Sequence, residues 1–375
     1  MNILVIANIA PFETGGAEVQ VRRLAEAWLK QGQRVTIVGN RIPSCKITVN
    51  NSKHTFNCVH ISTVLTNRFT RAVSYAVSLS WFVITHQKEF DIIYCRFLQE
   101  AALVIGLLKT LRIASLPFVA CPACSGIKGD VAFIEKMPIS NLLRCILNKT
   151  CNTVNSISPQ IENELIKFGI YKIKITHIPN GISLPSKYAQ KRISSGNKSC
   201  IFVGRLTEQK GLPYLMEAIH KLAQQNHYPD LTIIGEGPDR KKLEELICRL
   251  NIQRQVNFCG KIAHEEINDH LCNHDIFVLP SLYEGHPNAL LEAMAIGLPS
   301  LVTKCGGSEY FVDNSVGRVA KAGDADSLAQ ALQELLELSD EELQAMGQAA
   351  RERAKNNFDI DVIADKYIQL FKEHI

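Results

Sequence analysis

Hydrophobic residues along this chain recur with two periods, one typical of buried strands and one typical of amphipathic helices. Residues 2–7 form a short run that is almost entirely apolar, and residues 34–39 contain three aliphatic residues, which indicates two strands. Between them, residues 17–28 keep their apolar side chains on one face of a helix. The alternation continues to the C terminus and predicts an α/β protein with parallel sheets.

Two domains are expected, because 375 residues exceed the roughly 150 residues of an ordinary single domain. Further strands are predicted at 91–95, 118–121, 153–158 and 175–181 in a first sheet, and at 200–204, 231–235, 256–258, 275–280 and 299–303 in a second. Later helices are predicted to begin near residues 239, 264, 287, 324, 339 and 359. These elements indicate an N-terminal domain at 1–182, a linker at 183–199 and a C-terminal domain at 200–358, with a final helix at 359–375 that packs back on the N-terminal domain.

The cysteines and the charges restrict the environment of the protein. Twelve cysteines lie scattered among apolar residues with no secretory signal before them, which favours reduced thiols in a cytoplasmic protein. Cys121 and Cys124 form the only close pair, a weak motif for metal or redox chemistry. Up to residue 185 there are 20 Lys and Arg against 10 Asp and Glu, whereas the remainder has 21 against 27. This basic first half predicts a surface that meets an anion: a membrane, a phospholipid-linked acceptor or nucleic acid, although no nucleic-acid-binding motif is present.

Two strongly apolar segments, 73–85 and 101–108, are shorter than the roughly 20 residues that span a bilayer. We expect both to be buried helices. Arg68 and Arg71 before the first segment, with Trp81 and Phe82 within it, leave attachment to an anionic membrane as an alternative.

The strongest chemical signal is a pair of carboxylates, Glu284 and Glu292, at the start of a predicted helix. Pro287 suits the first helical position and His286 would cap it. Because residues 289–296 are otherwise apolar, Glu292 would be costly to bury unless it accepts hydrogen bonds, and ligand hydroxyls are good donors. A strand, a loop, a carboxylate and a helix start are typical of a ligand crevice at the carboxyl edge of a parallel sheet. The alternative is that Glu292 is partly exposed and Glu284 caps its own loop.

A glycine pair, Gly15 and Gly16, lies at the first strand-to-helix crossing. Glycines there let the backbone approach a phosphate or sugar closely. Their spacing differs from the fingerprint of dinucleotide-binding proteins, which makes an NAD oxidoreductase a poor interpretation.

Together these motifs resemble the retaining glycosyltransferases of family 4, the glycogen-synthase-like group with the GT-B fold. The resemblance covers nearly the whole chain and is most specific in the second half. The segments that carry it are Gly15–Glu18, 179–181, 204–206 with 210–211, 235–238, 284–295 and 306–309.

The resemblance implies two Rossmann-like domains with parallel sheets facing a central cleft, no catalytic metal and no cofactor beyond the nucleotide-sugar donor. Arg205 and Lys210 would hold the donor diphosphate, Glu284 would contact sugar hydroxyls and Glu292 would bind the ribose. The other donor-binding positions would be Gly204, Gly285, His286, Asn288, Ala289 and Leu290. The phosphate or acceptor loop would be Gly15, Gly16 and Glu18.

The chain departs from the family in one respect. Many members carry a histidine after the strand at 118–121, whereas residues 121–130 contain none. Ser125, Lys128 or Asp130 would then occupy that space on the acceptor side. Two D-x-D patterns, at 324–326 and 359–361, are typical of metal-using transferases, but both precede predicted helices and N-capping explains them better.

The resemblance therefore predicts a metal-independent, retaining hexosyltransferase that moves a sugar from a nucleoside diphosphate to a glycan or lipid-linked hydroxyl. Cell-surface polysaccharide, lipopolysaccharide or glycolipid synthesis would be its setting, in the cytoplasm or peripherally at the inner face of the membrane. Two alternatives remain open: a nucleotide-sugar epimerase of the same fold and a non-catalytic scaffold subunit. The donor base, the sugar, the acceptor and the oligomeric state are not specified by the sequence.

Overall fold

A computed structural model describes residues 1–13, 15–49, 55–64, 67–98, 100–126, 129–185 and 198–375. The chain divides into two compact units. Unit 1 comprises Met1–Ser183 with Ile360–Ile375, and unit 2 comprises Leu184–Asp359. Most of the predicted linker, 186–197, lies outside the described residues.

Unit 1 contains an eight-stranded sheet with the order β3-β4-β2-β1-β5-β6-β7-β8. All pairs are parallel except β3 with β4, which are antiparallel. The strands are β1 (Asn2–Ile6), β2 (Arg34–Gly39), β3 (Cys45–Thr48), β4 (Thr55–His60), β5 (Ile92–Arg96), β6 (Phe118–Cys121), β7 (Thr153–Ser156) and β8 (Ile175–His177).

Helices connect these strands, as parallel pairing requires. They are α1 (Gly16–Lys30), α2 (Arg68–His86), α3 (Glu100–Thr110), α4 (Asp130–Glu135), α5 (Ser140–Thr150) and α6 (Pro159–Phe168), with 3-10 turns at Gln87–Glu89 and Lys172–Lys174. Ser158 caps α6 through a hydrogen bond from the Ile161 N–H, and Gly169 ends it with a φ of +92°.

Unit 2 contains a six-stranded, fully parallel sheet with the order β11-β10-β9-β12-β13-β14. The strands are β9 (Ser199–Val203), β10 (Asp230–Ile234), β11 (Val256–Gly260), β12 (Ile276–Leu279), β13 (Ser300–Lys304) and β14 (Gly317–Lys321). The helices are α7 (Leu212–Gln224), α8 (Arg240–Leu250), α9 (His264–Cys272), α10 (Asn288–Ile296), α11 (Ala325–Leu336) and α12 (Asp340–Phe358), with 3-10 turns at Glu208–Lys210 and Ser308–Tyr310.

The last helix, α13 (Ile360–Lys372), packs in unit 1. Its Tyr367 and Phe371 rings lie 5.8 and 5.5 Å from the ring of Trp28 on α1, and Trp28 also meets Tyr94 of β5 at 5.7 Å. The Trp28 indole N–H donates to the carbonyl of Ala364 at 3.4 Å. Because all four rings are buried, α13 completes the core on this side of the first sheet.

The predicted α/β class with parallel sheets is confirmed, and most predicted elements begin within two residues of their observed starts. The expectation for residues 73–85 is wrong for one face of the helix. Val73, Val77, Trp81 and Ile84 are exposed on α2, while Tyr75, Leu79 and Val83 are buried. An apolar composition indicates a helix but does not decide which of its faces meets solvent.

The two D-x-D patterns lie at helix ends. Asp324 accepts a hydrogen bond from the Ser327 N–H at 2.9 Å and thereby caps α11, while Asp326 pairs with Lys221. Asp359 is the C-terminal cap residue of α12 and precedes α13 directly. N-capping therefore accounts for the first pattern, as expected.

Candidate functional site

The chain order of the second sheet reverses between β9 and β12. From β9, the strands β10 and β11 follow to one side, whereas β12, β13 and β14 follow to the other. The loops after β9 and β12 therefore separate and leave a crevice at the carboxyl edge, which is where open α/β sheets bind ligands. All candidate donor-site residues except those of the first glycine pair lie on these two loops and on α10.

The loop after β9 presents Arg205 to solvent. Backbone hydrogen bonds fasten it to the loop after β10: the Gly204 N–H donates to the Ile234 carbonyl and the Leu206 N–H to the Glu236 carbonyl, both at 3.0 Å. These hydrogen bonds fix the backbone on either side of Arg205.

The same loop then approaches the loop after β12. Its 3-10 turn ends at Lys210, and Gly211 follows with a φ of +62°, where a Cβ would collide with the Pro280 carbonyl. The Leu282 N–H donates to the Gln209 carbonyl at 2.8 Å. Only glycine permits both this left-handed conformation and this close approach, so Gly211 lets the two loops meet.

Lys210 and Glu284 form an ion pair across the two loops. The Lys210 ammonium lies 2.5 Å from Oε1 of Glu284, and the Ser281 hydroxyl donates to the same oxygen at 2.7 Å. Ser281 is itself fixed, because its carbonyl accepts from the Thr303 hydroxyl. An ammonium has three donors and Glu284 takes one of them, so Lys210 retains capacity for an anionic ligand. Sequence reasoning found both charged residues but neither their contact nor Ser281.

The helix α10 begins one residue later than predicted. Pro287 is its N-cap residue, without a side-chain capping bond, and Asn288 is the first helical residue. His286 does not cap the helix. Its ring is buried edge-to-face against Phe311, with centroids 4.6 Å apart, and near Phe358 at 6.2 Å. This environment favours a role for His286 in holding the loop in place.

Glu292 lies on the less buried side of α10. Asn288, Ala289 and Glu292 are half-buried and share one side of the helix, whereas Leu290 and the residues from 293 to 296 are buried. The expectation that this helix is buried on every side is therefore wrong, and Glu292 is partly exposed, as the alternative held. The backbone N–H groups of the first helical turn lie at the same end as Gly285.

A second loop, which contains Gly306 and Gly307, packs against the loop that carries Glu284. Gly307 packs on the backbone of Glu284 and Gly285, where a Cβ would collide with the Glu284 carbonyl. The Glu309 carboxylate accepts hydrogen bonds from the N–H groups of Cys305, Gly306 and Gly307 at 2.9 to 3.1 Å. Glu309 was part of the motif that carried the resemblance, and the structure shows it as the clamp of this loop.

In unit 1 the chain order of the sheet reverses between β1 and β5, and the first glycine pair follows β1. Gly15 is the N-cap residue of α1 in an extended conformation and Gly16 is its first residue, both exposed. The Glu18 carboxylate folds back over Gly15 and would contact any Cβ there. The backbone N–H groups at this helix start are suited to an anion.

The three positions expected on the acceptor side differ in their surroundings. Asp130 is buried and accepts from the N–H groups of Ala123 and Cys124 at 2.8 and 3.0 Å, so it holds the loop after β6 in place. Burial raises the pKa of Asp130, and these backbone donors oppose the rise. Ser125 is also buried, and Lys128 lies outside the described residues.

A buried polar cluster occupies the carboxyl edge of the first sheet. Arg96 donates to Cys121 Sγ at 3.0 Å and to Asn180 Oδ1 at 3.2 Å. Asn155 donates to the Tyr367 hydroxyl at 2.8 Å, which ties α13 to β7. Burial opposes the charge on Arg96, but Cys121 and the nearby tyrosines raise its pKa overall. This edge is held together by its polar side chains.

The described part of the chain shows neither a group of metal ligands nor a membrane-spanning helix. Within it, no three His, Cys, Asp or Glu side chains are grouped as metal ligands. Cys121 is buried and Cys124 exposed, and neither forms a disulfide. No helix among the described residues combines the length and hydropathy that crossing a membrane requires.

Two known protein families together match most of the chain. Residues 14–185 match the family described as Glycosyltransferase Family 4, and residues 186–353 match the family described as Glycosyl transferases group 1. The crystal structure of Anabaena HepE in complex with UDP and glucose has a TM-score of 0.76 to this chain, covers 100% of both chains and is 19% identical, which shows a shared GT-B fold.

Two curated relatives complete the comparison. An uncharacterized glycosyltransferase of Methanocaldococcus jannaschii is 25% identical over 345 residues, which cover 84% of this chain and 83% of the relative. The UDP-Gal:alpha-D-GlcNAc-diphosphoundecaprenol alpha-1,3-galactosyltransferase of Escherichia coli is 33% identical over 220 residues, 53% of this chain and 55% of the relative. The second match thus spans about half the length of its relative. These similarities do not favour an epimerase.

Proposed function

The chain belongs to the GT4-type glycosyltransferases with the GT-B fold, and we propose that it transfers a sugar from a nucleoside diphosphate to a hydroxyl group with retention of anomeric configuration. The observation that carries this proposal is the Lys210–Glu284 pair, whose lysine shares a loop with the exposed Arg205, at the point where the second sheet reverses its order. This crevice offers cations, a carboxylate and a helix start to one ligand.

The cations act on the leaving group. As the bond between the sugar and the diphosphate breaks, the diphosphate gains negative charge, and fixed positive groups stabilise it without reorganising. Arg205 offers a planar set of donors for phosphate oxygens, and Lys210 offers the donors that Glu284 leaves available. The N–H groups at the start of α10 add partial positive charge. We therefore propose that these groups perform the role that a divalent cation has in metal-using transferases.

The carboxylates act on the neutral parts of the donor. Glu284 is held by Lys210 and Ser281 as an acceptor for sugar hydroxyls, so a sugar that lacks a hydroxyl there would bind less well. Glu292, on the partly open side of α10, would accept from the ribose hydroxyls. Gly204, Gly285, Asn288, Ala289 and Leu290 would shape the remaining donor contacts in unit 2. In unit 1, Gly15, Gly16 and Glu18 would contact a phosphate or the acceptor.

For the acceptor we propose a lipid-linked or glycan hydroxyl in the synthesis of a surface polysaccharide or lipopolysaccharide. The relative in Escherichia coli is named for a diphosphoundecaprenol acceptor, and HepE was crystallised with UDP and glucose. The basic balance of the first 185 residues suits an acceptor that carries phosphate. A peripheral position at the cytoplasmic face of a membrane would bring the enzyme to such an acceptor.

The test begins with a thermal-shift panel of UDP, GDP, ADP and CMP and their sugars, because a ligand that binds only the folded state raises the melting temperature. The nucleotide sugar that binds is then incubated with the enzyme, and NMR of the released or transferred sugar reports its anomeric configuration. We expect the configuration of the donor, with and without EDTA. An inverted product, or activity that EDTA abolishes, would contradict the proposed mechanism.

The matched variants are Glu284→Gln and Glu334→Gln. Both remove one carboxylate charge from an ion pair in unit 2, but the Arg318–Glu334 pair lies away from the site residues, with N–O at 2.8 Å. We expect Glu284→Gln to abolish most transfer and donor hydrolysis and Glu334→Gln to retain both. Equal activity of the two variants, with both folded, would show that Glu284 has no role.

A further inference from the structure

One helix of unit 1 exposes a continuous apolar face. Val73, Val77, Trp81 and Ile84 follow at intervals of four, four and three residues and therefore lie on one side of α2. They are exposed, Val77 to 65% and Trp81 to 71% of their surfaces, while the opposite side of α2 is buried in the core. We call these four residues the α2 face. An exposed apolar stripe of this kind marks an interaction site.

The apolar surface extends beyond α2. Gln87, directly after the helix, donates to the carbonyl of Ile113 at 3.1 Å and accepts from the Ser115 N–H at 3.3 Å. These bonds hold the end of α2 beside the segment that follows α3, where Leu111 and Ile113 are exposed. Arg112, between them, is exposed as well. The α2 face thus ends next to a second exposed apolar pair, Leu111 and Ile113, with the positively charged Arg112 between them.

The stretch of sequence that leads to the end of α2 carries charges of one sign. From residue 27 to residue 88 the chain contains eight Lys and Arg and not a single Asp or Glu. The 19 residues of α2 lie entirely within this segment. A protein partner is usually met by side chains of both signs, whereas an anionic lipid surface attracts basic residues and admits aliphatic and indole groups between its head groups. Tryptophan suits that depth, because its ring is apolar and its N–H is polar.

We propose that the α2 face docks on an anionic phospholipid membrane, with Trp81 inserted among the lipid head groups and the exposed Arg112, next to the end of this face, turned toward the lipid charge. The proposal rests on the proposed function for its purpose, since a lipid-linked acceptor lies in such a membrane. Its physical basis is independent of the donor site, because none of these residues lies in unit 2.

The chain provides its own probe for this contact. It has two tryptophans: Trp28 is completely buried, and Trp81 is the exposed one. The full-length protein is mixed with vesicles of phosphatidylcholine alone or with 30% phosphatidylglycerol, with and without brominated acyl chains. We expect the anionic vesicles to shift the emission of Trp81 to shorter wavelength, and brominated lipid to quench it. Raising the salt concentration should weaken binding, because it screens the charges.

The matched variants are the double substitutions Val77→Ser with Trp81→Ser, and Tyr171→Ser with Ile173→Ser. The second pair is also apolar, exposed to 61% and 94%, in unit 1, and flanked by lysines. We expect cosedimentation with anionic vesicles to fall at least tenfold for the α2 variant and by less than twofold for the control. All four side chains are exposed, so the fold should survive, and circular dichroism checks this.

Several results would overturn the proposal. These are a wild-type protein that does not bind anionic vesicles, an equal loss in both variants, and a wild-type dimer in light scattering that the α2 substitutions dissociate without any vesicle binding. Nucleotide binding is measured on the same samples. If vesicle binding persists but no nucleotide binds, the proposed function fails while the α2 face stands. If nucleotide binds but vesicles do not, the reverse holds.

Discussion

The carboxyl edges of the two sheets differ in how far their polar side chains are exposed. In unit 2 the loops at that edge carry the exposed Arg205 and the half-buried Lys210, which pairs with the buried Glu284. In unit 1 the equivalent edge buries its polar side chains, and Arg96 and Asn155 bond to other protein groups within the core. The edge of unit 2 thus presents a guanidinium to solvent, whereas Arg96 and Asn155 at the edge of unit 1 are enclosed by protein groups.

The difference has a structural cause in α13. In unit 1 this helix brings Tyr367 and Phe371 onto Trp28, and the Tyr367 hydroxyl receives the amide of Asn155. What unit 1 leaves exposed is the glycine pair before α1 and the apolar side of α2. Under the proposed function, the charged groups for the donor would lie in unit 2, and unit 1 would provide the glycine loop and the surface attachment.

The largest expected effect concerns the packing under α13. Trp28→Ala removes the ring that Tyr94, Tyr367 and Phe371 contact, and should lower the free energy of unfolding by about 3–5 kcal/mol. Trp81→Ala is the matched control, because its ring is exposed, and should cost less than about 0.5 kcal/mol. Guanidinium unfolding measures both. Equal losses would mean that α13 does not depend on this cluster.

The next effect concerns the charged edge of unit 2. Lys210→Met should lower kcat by about 10²–10³, since it removes a donor from the departing diphosphate. It also leaves the Glu284 carboxylate with less compensation, so stability should fall as well. The double variant Lys210→Met with Glu284→Gln should recover stability but not activity. Recovery of activity in the double variant would show that the pair is structural.

A smaller effect is expected from Tyr367→Phe. The substitution keeps the ring but removes the hydroxyl that accepts from Asn155, so the free energy of unfolding should fall by about 1–3 kcal/mol. Thermal unfolding measures this, while the affinity for the donor nucleotide should stay unchanged. A loss of nucleotide affinity with little change in stability would contradict the assignment of this edge to structure.

The smallest expected effect is a pH dependence at the end of the chain. The His374 ring contacts the Thr153 hydroxyl at 2.7 Å. Burial lowers the pKa of His374, and the opposing effect of Glu373 does not cancel this shift. The unfolded chain therefore binds the proton more readily, so the contribution of His374 is complete above its ordinary pKa of about 6.5 and is lost as the pH falls through its lowered value. The stability of His374→Gln should vary less than that of the wild type between pH 7.5 and 5. Identical pH profiles would show that His374 does not contribute to the pH dependence of stability.

Particular residues show which features of the fold and the site could be predicted from the sequence. The strand and helix periods predicted both sheets, because buried parallel strands are apolar throughout and their helices are not. The strands β3, β4 and β14 escaped prediction, because each has exposed or half-buried positions and none is a continuous apolar run. Glu284 was found from its neighbours along the chain. Its partner Lys210 is 74 positions away, and their contact depends on β9 lying beside β12, which no local pattern encodes.

The exposure of α2 shows a second limit. Its residues are apolar enough to suggest a buried helix, and the sequence also contained the basic residues that suggested a membrane contact. Composition alone does not separate these interpretations, because both place apolar side chains out of water. The positions of the neighbouring elements decide which side of the helix remains uncovered.

The central claim is that the donor binds at the charged edge of unit 2, and hydrogen–deuterium exchange tests it most directly. Peptides are compared with and without a saturating amount of the nucleotide that the thermal-shift panel identifies. We predict that residues 204–211 and 284–292 gain the largest protection and that Lys210→Met with Glu284→Gln reduces it. Protection confined to unit 1, with no change at these two segments, would contradict the account.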